Sequence, residues 1–321
     1  MTKIDKNGNT SQKKGDVLFM ISKKEMQYVD SWSTKIPMPG YEYSKMVMMA
    51  IKDCYEKYNK LYKNKEYNLI FSNGEEISFE ILSKNLCHML GIDYKNIRDS
   101  YFEDYRKEIL NIDSNDFTSY DLLESLIENM EKVIELDNDM SVRYKLINYY
   151  KSGIKCQIFN KLSNFDKFNF AAINYDAGDN KYDYKDQKIF FIPSNEKLCP
   201  YFMMGIKKSN DFDYEESNTE YDYESNTINK YIVSTLFAPT IEQVAEKFKN
   251  QEVIIPTQIL ISDNNILSKI NATAEEKMQL LTMYKSIIET YKIPNKLNIY
   301  GDYESMIKDE IDKVKVLKIN N

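Results

Sequence analysis

Residues 67–81, which read YNLIFSNGEEISFEI, decide the fold of this chain. An apolar run leads into Asn73-Gly74, and the chain returns with Ile77, Phe79 and Ile81 at every second position. Asn-Gly accepts a positive φ at both central residues of a two-residue turn, and the alternation gives the returning strand one buried face. The pattern predicts a β-hairpin near the N-terminal end of the folded chain.

Helical and extended patterns surround this hairpin. Apolar spacing predicts a helix from about 42 to 63, a short helix Leu82–Leu90 that Gly91 ends, and a core-facing helix that begins after Thr118. Short apolar segments between polar turns predict an antiparallel meander formed by Ile154–Asn160, Phe168–Tyr175, Lys188–Pro193, Cys199–Lys207 and Lys230–Phe237. The chain is therefore predicted to be α+β, with an antiparallel β-sheet and an N-terminal hairpin, flanked by several amphipathic helices.

Changes in composition along the chain predict its organisation. Residues 1–15 are polar and without periodicity, which favours a disordered tail. Residues 16–262 are predicted to form the α+β domain. Residues 209–229 carry seven acids and no Lys or Arg, which predicts an acidic disordered insertion in that domain. Residues 263–321 contain amphipathic patterns that predict a C-terminal helical extension.

The composition excludes several kinds of protein. The four cysteines form no CxxC pair, which favours reduced core thiols in a cytoplasm. One histidine excludes a multi-histidine metal site, and the chain has neither a GxxxxGK loop nor GxGxxG, so neither a metal nor a cofactor is predicted. The longest apolar runs are far below the roughly 20 residues that span a bilayer, and the N-terminus lacks the apolar core of a secretory signal. We therefore expect a cytoplasmic protein with no membrane contact.

The single histidine, His88, lies in the segment Asn85-Leu86-Cys87-His88-Met89-Leu90-Gly91-Ile92. On a helical projection it falls at the border of the apolar face, where a histidine that caps or hydrogen-bonds within a packed helix end is the plainer interpretation. The succession of a helix, a hairpin and this segment resembles phage-associated nuclease-like domains grouped with barnase, EndoU, colicin nucleases and RelE. In those domains a strand leads into F-x-H-L-x-G, and this chain has Leu86 and Met89 at the aromatic and leucine positions.

The resemblance extends to two later segments and implies a function. Residues 202–208 and 231–237 are similar to sheet strands of that group, which carry a basic residue and a Ser or Thr. The resemblance implies a metal-independent ribonuclease of a phage or mobile element, toxin-like in its RNA cleavage, or a descendant that kept the fold and lost the chemistry. His88, Lys207 and Ser234 are then the expected catalytic residues, as acid/base, charge stabiliser and phosphate donor, with Lys208 and Thr235 binding substrate.

Other interpretations of these residues remain open. Lys207 and Lys208 also fit a solvated strand end, and Ser234 and Thr235 fit strand positions chosen for β-propensity. RNA is the expected partner of a nuclease, and residues 1–65 hold thirteen Lys against seven acids, which permits a basic groove. The alternative function is a non-enzymatic inhibitor from a phage or mobile element that binds a host defence protein or nucleoprotein complex, a role that the acidic 209–229 segment also suits.

Overall fold

The computed structural model describes part of the chain. The described residues are 3–4, 10–11, 40–92, 103–112, 117–139, 147–162, 167–175, 187–196, 199–208, 230–239, 243–244, 252–263 and 266–290, with single residues at 308 and 312. The predicted tail beyond its two short strands, most of 240–251, the acidic segment 209–229 and most of the chain after 290 lie outside them.

The class predicted from the sequence, α+β, is confirmed. The strands are β1 (Lys3–Ile4), β2 (Thr10–Ser11), β3 (Lys65–Phe71), β4 (Glu76–Glu80), β5 (Ala171–Tyr175), β6 (Gln187–Glu196), β7 (Cys199–Lys208), β8 (Lys230–Phe237), β9 (Glu252–Ile254), β10 (Pro256–Asp263) and β11 (Ile266–Asn271). The helices are α1 (Tyr41–Leu61), α2 (Ser83–Met89), α3 (Glu103–Glu108), α4 (Ser119–Glu128), α5 (Met130–Asp139), α6 (Tyr149–Leu162) and α7 (Ala274–Thr290). Among these helices, none is long and apolar enough to cross a membrane.

Nine of the strands form one sheet in the order β11-β10-β3-β4-β8-β7-β6-β5-β9, and β1 pairs separately with β2. Within the large sheet, β4 and β8 run parallel and every other neighbouring pair is antiparallel. The consecutive antiparallel strands β5, β6, β7 and β8 correspond to four of the five segments of the predicted meander. The parallel contact joins this meander to the β3–β4 pair.

The turn between β3 and β4 differs from a two-residue Asn-Gly turn. Gly74 has φ +81° and its N–H donates to Phe71 O at 3.0 Å, whereas Asn73 is not among the residues with positive φ. The Asn73 side chain instead accepts from the Glu75 N–H at 3.0 Å. A turn followed by one residue in the left-handed region forms a three-residue hairpin loop with a bulge, one residue longer than the predicted loop. Only Gly74 therefore needs a positive φ here.

The sheet curls strongly. A single residue, Ile255, separates the end of β9 from the start of β10, although the two strands lie towards opposite ends of the strand order. Phe79 on β4 and Phe190 on β6 have ring centroids 6.5 Å apart, while three strand spacings in a flat sheet amount to about 14 Å. The inner face of the curl is therefore packed with side chains rather than open.

Two helical regions depart from the sequence prediction. Residues 154–160, predicted as a strand, belong to α6, and that prediction is wrong. Nine of the fourteen residues of α6 are buried, so the helix has no single apolar stripe for a pattern to detect. After residue 263, where a helical extension was predicted, the chain first adds β11 to the sheet and then forms α7.

The capping signals in the sequence are present. Thr118 accepts from the Asp121 N–H at 3.1 Å and Asp121 accepts from the Thr118 N–H at 2.8 Å. Thr273 and Glu276 make the same reciprocal pair at the start of α7. Tyr284 of α7 then packs between β5 and β9, where its hydroxyl accepts from Ala172 N at 2.6 Å. The capping bonds fix where α4 and α7 begin, and Tyr284 attaches α7 to the sheet.

Candidate functional site

Four of the residues around the β7–β8 ladder share one face of the sheet. Gly205 pairs with Thr235 and Lys207 pairs with Ile232, while Ser234 is an extra residue of β8 that no residue of β7 opposes. Residues two apart on a strand point the same way, so Lys207, Gly205 and Thr235 lie on one side. An extra residue on one strand is a β-bulge, which re-aims a side chain.

The bulge brings Ser234 to this same side. Its hydroxyl donates to Gly205 O at 2.9 Å, and a Cβ on Gly205 would lie 3.2 Å from that hydroxyl and 3.3 Å from the Thr235 methyl group. Glycine therefore fits at position 205 without displacing the Ser234 hydroxyl or the Thr235 methyl group. The structure therefore gathers Lys207, Ser234 and Thr235 around Gly205.

Lys208 points to the other face. It pairs with Tyr231, and residues 207 and 208 alternate across the pleat. Its side chain is exposed and Lys207 is partly buried. The two neighbouring lysines predicted to serve one substrate are therefore separated by the sheet.

Helix α2 carries His88 to the edge of β8. Strand β4 pairs with β8 as far as Ile232, and α2 begins three residues after β4 ends. The Asn85 amide then donates to Val233 O at 3.0 Å, in the position where β4 would have continued. His88 is one helical turn beyond Asn85 on the same side of α2, and it is exposed. The sequence alone predicted neither this hydrogen bond nor the adjacency to the bulge.

A buried lysine supports the other end of α2. Lys155 of α6 is 3 % exposed, and its Nζ donates to His88 O at 2.6 Å. Within the part of the chain that the structure describes, no carboxylate pairs with it. Burial, with a smaller effect from Lys151, lowers the pKa of Lys155 to about 7. A cation at the C-terminus of a helix is favourably placed for the helix dipole, so this contact holds the carbonyl end of α2.

Two carboxyl groups lie on the same face as Lys207. Glu66 and Glu80 are directly opposite each other on β3 and β4, and Glu80 is beside Ile232, the partner of Lys207. Burial and the Glu66 charge raise the pKa of Glu80, and Lys230 partly offsets this. Ser78 donates to Glu66. A carboxyl group whose pKa is raised holds its proton more tightly than an exposed one, which makes it a candidate for proton transfer.

Sequence reasoning missed Lys155, Glu66 and Glu80. The predicted two-residue turn at Asn73-Gly74 would have set Tyr67 opposite Glu80, and the longer loop that forms instead sets Glu66 there, since register follows from turn length. Lys155 is the one charged residue in the mainly apolar segment 153–159, and that charge was the available signal. Its partner on α2, however, lies 67 positions away and no local pattern indicates it.

Among the described residues, no three His, Cys, Asp or Glu side chains come close enough together to hold a metal ion. No known protein family, curated protein or solved structure matches the chain. The function has therefore to be argued from the geometry alone.

Proposed function

We propose that the protein is a metal-independent ribonuclease, which cleaves RNA through the ribose 2′-hydroxyl. The observation that carries the proposal is the hydrogen bond from Asn85 to Val233 O, which fixes the helix of His88 beside the bulge of Ser234. It supports one working surface formed from α2, β7 and β8, although these elements are far apart in the sequence.

The reaction needs three kinds of group. The 2′-oxygen attacks phosphorus as its proton leaves, the bond to the 5′-oxygen breaks, and that oxygen takes up a proton. A cation stabilises the charge that develops on the phosphoryl oxygens. His88 transfers the protons. The carboxyl group of Glu80 is a second candidate for that task because its pKa is raised. Lys207 supplies the charge.

The substrate-binding roles follow from the faces of the sheet. Thr235 lies on the side of Lys207 and contacts the phosphate there. Ser234 donates to Gly205 O in this structure, so it serves the phosphate only after its hydroxyl rotates. Lys208 lies on the opposite face at the end of β7, and it contacts the RNA backbone where the RNA passes that end of the strand. The excess of lysine in residues 1–65 supports attraction of the RNA backbone.

The setting of this activity is part of the proposal. The resemblance supports a phage or mobile-element protein with toxin-like RNA cleavage. All four cysteines are free and buried, which suits a reducing compartment, and we place the activity in the cytoplasm.

The test is RNA cleavage by the purified protein in EDTA. A labelled RNA, the same sequence in DNA, and RNA with one 2′-deoxy position are incubated with the wild type, His88→Gln and Glu289→Gln, an exposed change on α7. We expect the wild type and Glu289→Gln to cut RNA but not DNA, to skip the deoxy position, and to leave a 2′,3′-cyclic phosphate. His88→Gln should lose at least 100-fold in rate, the usual contribution of a general acid or base.

Two outcomes contradict the proposal. Intact RNA with the wild type at every protein concentration removes the activity and turns attention to the non-enzymatic inhibitor that binds a host defence protein. Equal cleavage by the wild type and His88→Gln removes His88 from the chemistry and indicates a contaminating nuclease.

A further inference from the structure

Strand β11 is the exposed edge of the sheet. It pairs with β10 on one side and stands last in the strand order of the described residues. Ile266 and Leu267 are 69 % and 63 % exposed, more than any other large apolar side chain that the structure describes. An edge strand offers unpaired N–H and C=O groups, and exposed apolar residues make it a template for another strand.

We infer that β11 pairs with β11 of a second copy of this chain, which joins two sheets across a two-fold axis. In antiparallel pairing, directly opposite residues point to the same face of the sheet. A two-fold axis perpendicular to the sheet therefore sets one residue opposite the same residue of the second copy, and the register is named by that central residue. The strand sequence ILSKIN then allows few registers, and its charge selects among them.

The register centred on Ser268 suits the strand best. It sets Ile266 opposite Ile270 of the second copy, on both sides of the axis, and Leu267 opposite the aliphatic stem of Lys269. Centring one residue later sets Lys269 against itself, and like charges directly opposite each other destabilise a sheet. Centring one residue earlier leaves only 266–268 of β11 in the ladder. A self-complementary strand needs no other partner, which commits the edge to a second copy.

The dimer is tested by sedimentation velocity over a concentration series. The wild type should shift from monomer to dimer as the concentration rises. Leu267→Lys places a lysine of each copy opposite Lys269 of the other, and this repulsion should raise the dissociation constant of the dimer at least tenfold. Leu267→Glu places a carboxylate there instead, and the dimer should be retained. Met49→Lys, at a 49 % exposed position on α1, is the control for an added surface charge and should leave dimerisation unchanged.

Cross-linking tests the register separately. Ser268→Cys brings two thiols together at the axis, within the Cα spacing that a disulfide needs, so oxidation should yield a covalent dimer. Asn271→Cys puts its thiols about 20 Å apart in this register and should not cross-link. The native cysteines are all buried, which keeps the background low.

The inference is overturned by a wild type that stays monomeric at every concentration. It is also overturned if Leu267→Lys dimerises like the wild type, if Leu267→Glu fails like Leu267→Lys, or if Asn271→Cys cross-links as fully as Ser268→Cys. These measurements do not involve RNA, so their outcome is independent of the proposed ribonuclease.

Discussion

Two buried lysines, in different parts of the molecule, are stabilised in different ways. Lys188 on β6 is 7 % exposed, and its Nζ lies 2.5 Å from Glu75 Oε1 in the β3–β4 turn. Asn174 donates to the other oxygen of Glu75 at 3.3 Å, and the Tyr231 ring centroid is 5.8 Å from Lys188 Nζ. Lys155, beneath α2, is as deeply buried but donates to a neutral carbonyl.

The difference separates a structural contact from a responsive one. The Lys188–Glu75 pair joins β6 to the β3–β4 turn, so it links two strands that only the curl of the sheet brings together. Lys155 has a carbonyl instead of a counter-ion, and its pKa of about 7 lets its charge change close to neutral pH. Burial alone thus gives neither lysine its role; the partner does.

The largest effect is expected when the counter-ion of Lys188 is removed. Glu75→Gln keeps the size of the side chain but leaves a buried ammonium group without a carboxylate, and the free energy of unfolding should fall by about 3 kcal/mol. Urea unfolding at neutral pH measures it.

Glu76→Gln, at the exposed neighbouring residue, is the matched control and should change the free energy of unfolding by less than about 0.5 kcal/mol. Adding Lys188→Met to Glu75→Gln should recover part of the loss, because the uncompensated charge is then gone. Equal costs for Glu75→Gln and Glu76→Gln would mean that the ion pair contributes nothing.

The next effect distinguishes the lysines by pH. Between about pH 7 and 10.5, Lys155 binds fewer protons in the folded protein than in the unfolded chain, so its contribution to stability rises with pH across that window. Lys155→Met removes this dependence. The variant should gain relative to the wild type as pH falls towards 7, by up to about 1.4 kcal/mol per pH unit.

Urea midpoints at several pH values between 6 and 10 provide the measurement. Lys161→Met, on the same helix α6 but less buried, is the control and should follow the wild-type profile. Parallel profiles for Lys155→Met and the wild type would show that Lys155 keeps its charge in the fold.

The same contrast explains what the sequence could predict. The capping pair at Thr118 and Asp121 depends on residues a few positions apart, and the structure contains it. In β4, Ile77 and Phe79 are buried as the alternation predicts, but Ser78 between them is buried too. Helix α6 was mistaken in part for a strand because burial on nearly all sides removes the helical period. Its lysine interrupts the apolar run without indicating a partner, since that partner belongs to a distant helix.

The site was predictable only as separate residues. His88, Lys207 and Ser234 were selected from short segments, yet their arrangement depends on the parallel contact of β4 with β8 and on a bulge at Ser234. Strands 78–80 and 230–232 are about 150 positions apart, and neither has a local signal for the other. That Lys207 and Lys208 diverge does follow from strand alternation, which places neighbouring residues on opposite faces.

The smallest change in stability, and the sharpest test of α2, is expected from Asn85→Ala. This variant removes one neutral hydrogen bond to Val233 O and should cost about 1 kcal/mol at every pH, unlike Lys155→Met. If the bond positions His88, the rate of RNA cleavage should fall even under conditions in which the variant is fully folded. Amide exchange should quicken in α2 but not in α4. Asn59→Ala, on α1, removes the amide oxygen that accepts a hydrogen bond from the Tyr120 hydroxyl of α4, and it should cost similar stability and leave cleavage intact. Equal cleavage by the two variants would show that α2 is held well enough by Lys155 alone, and that the contact with β8 serves the fold rather than the site.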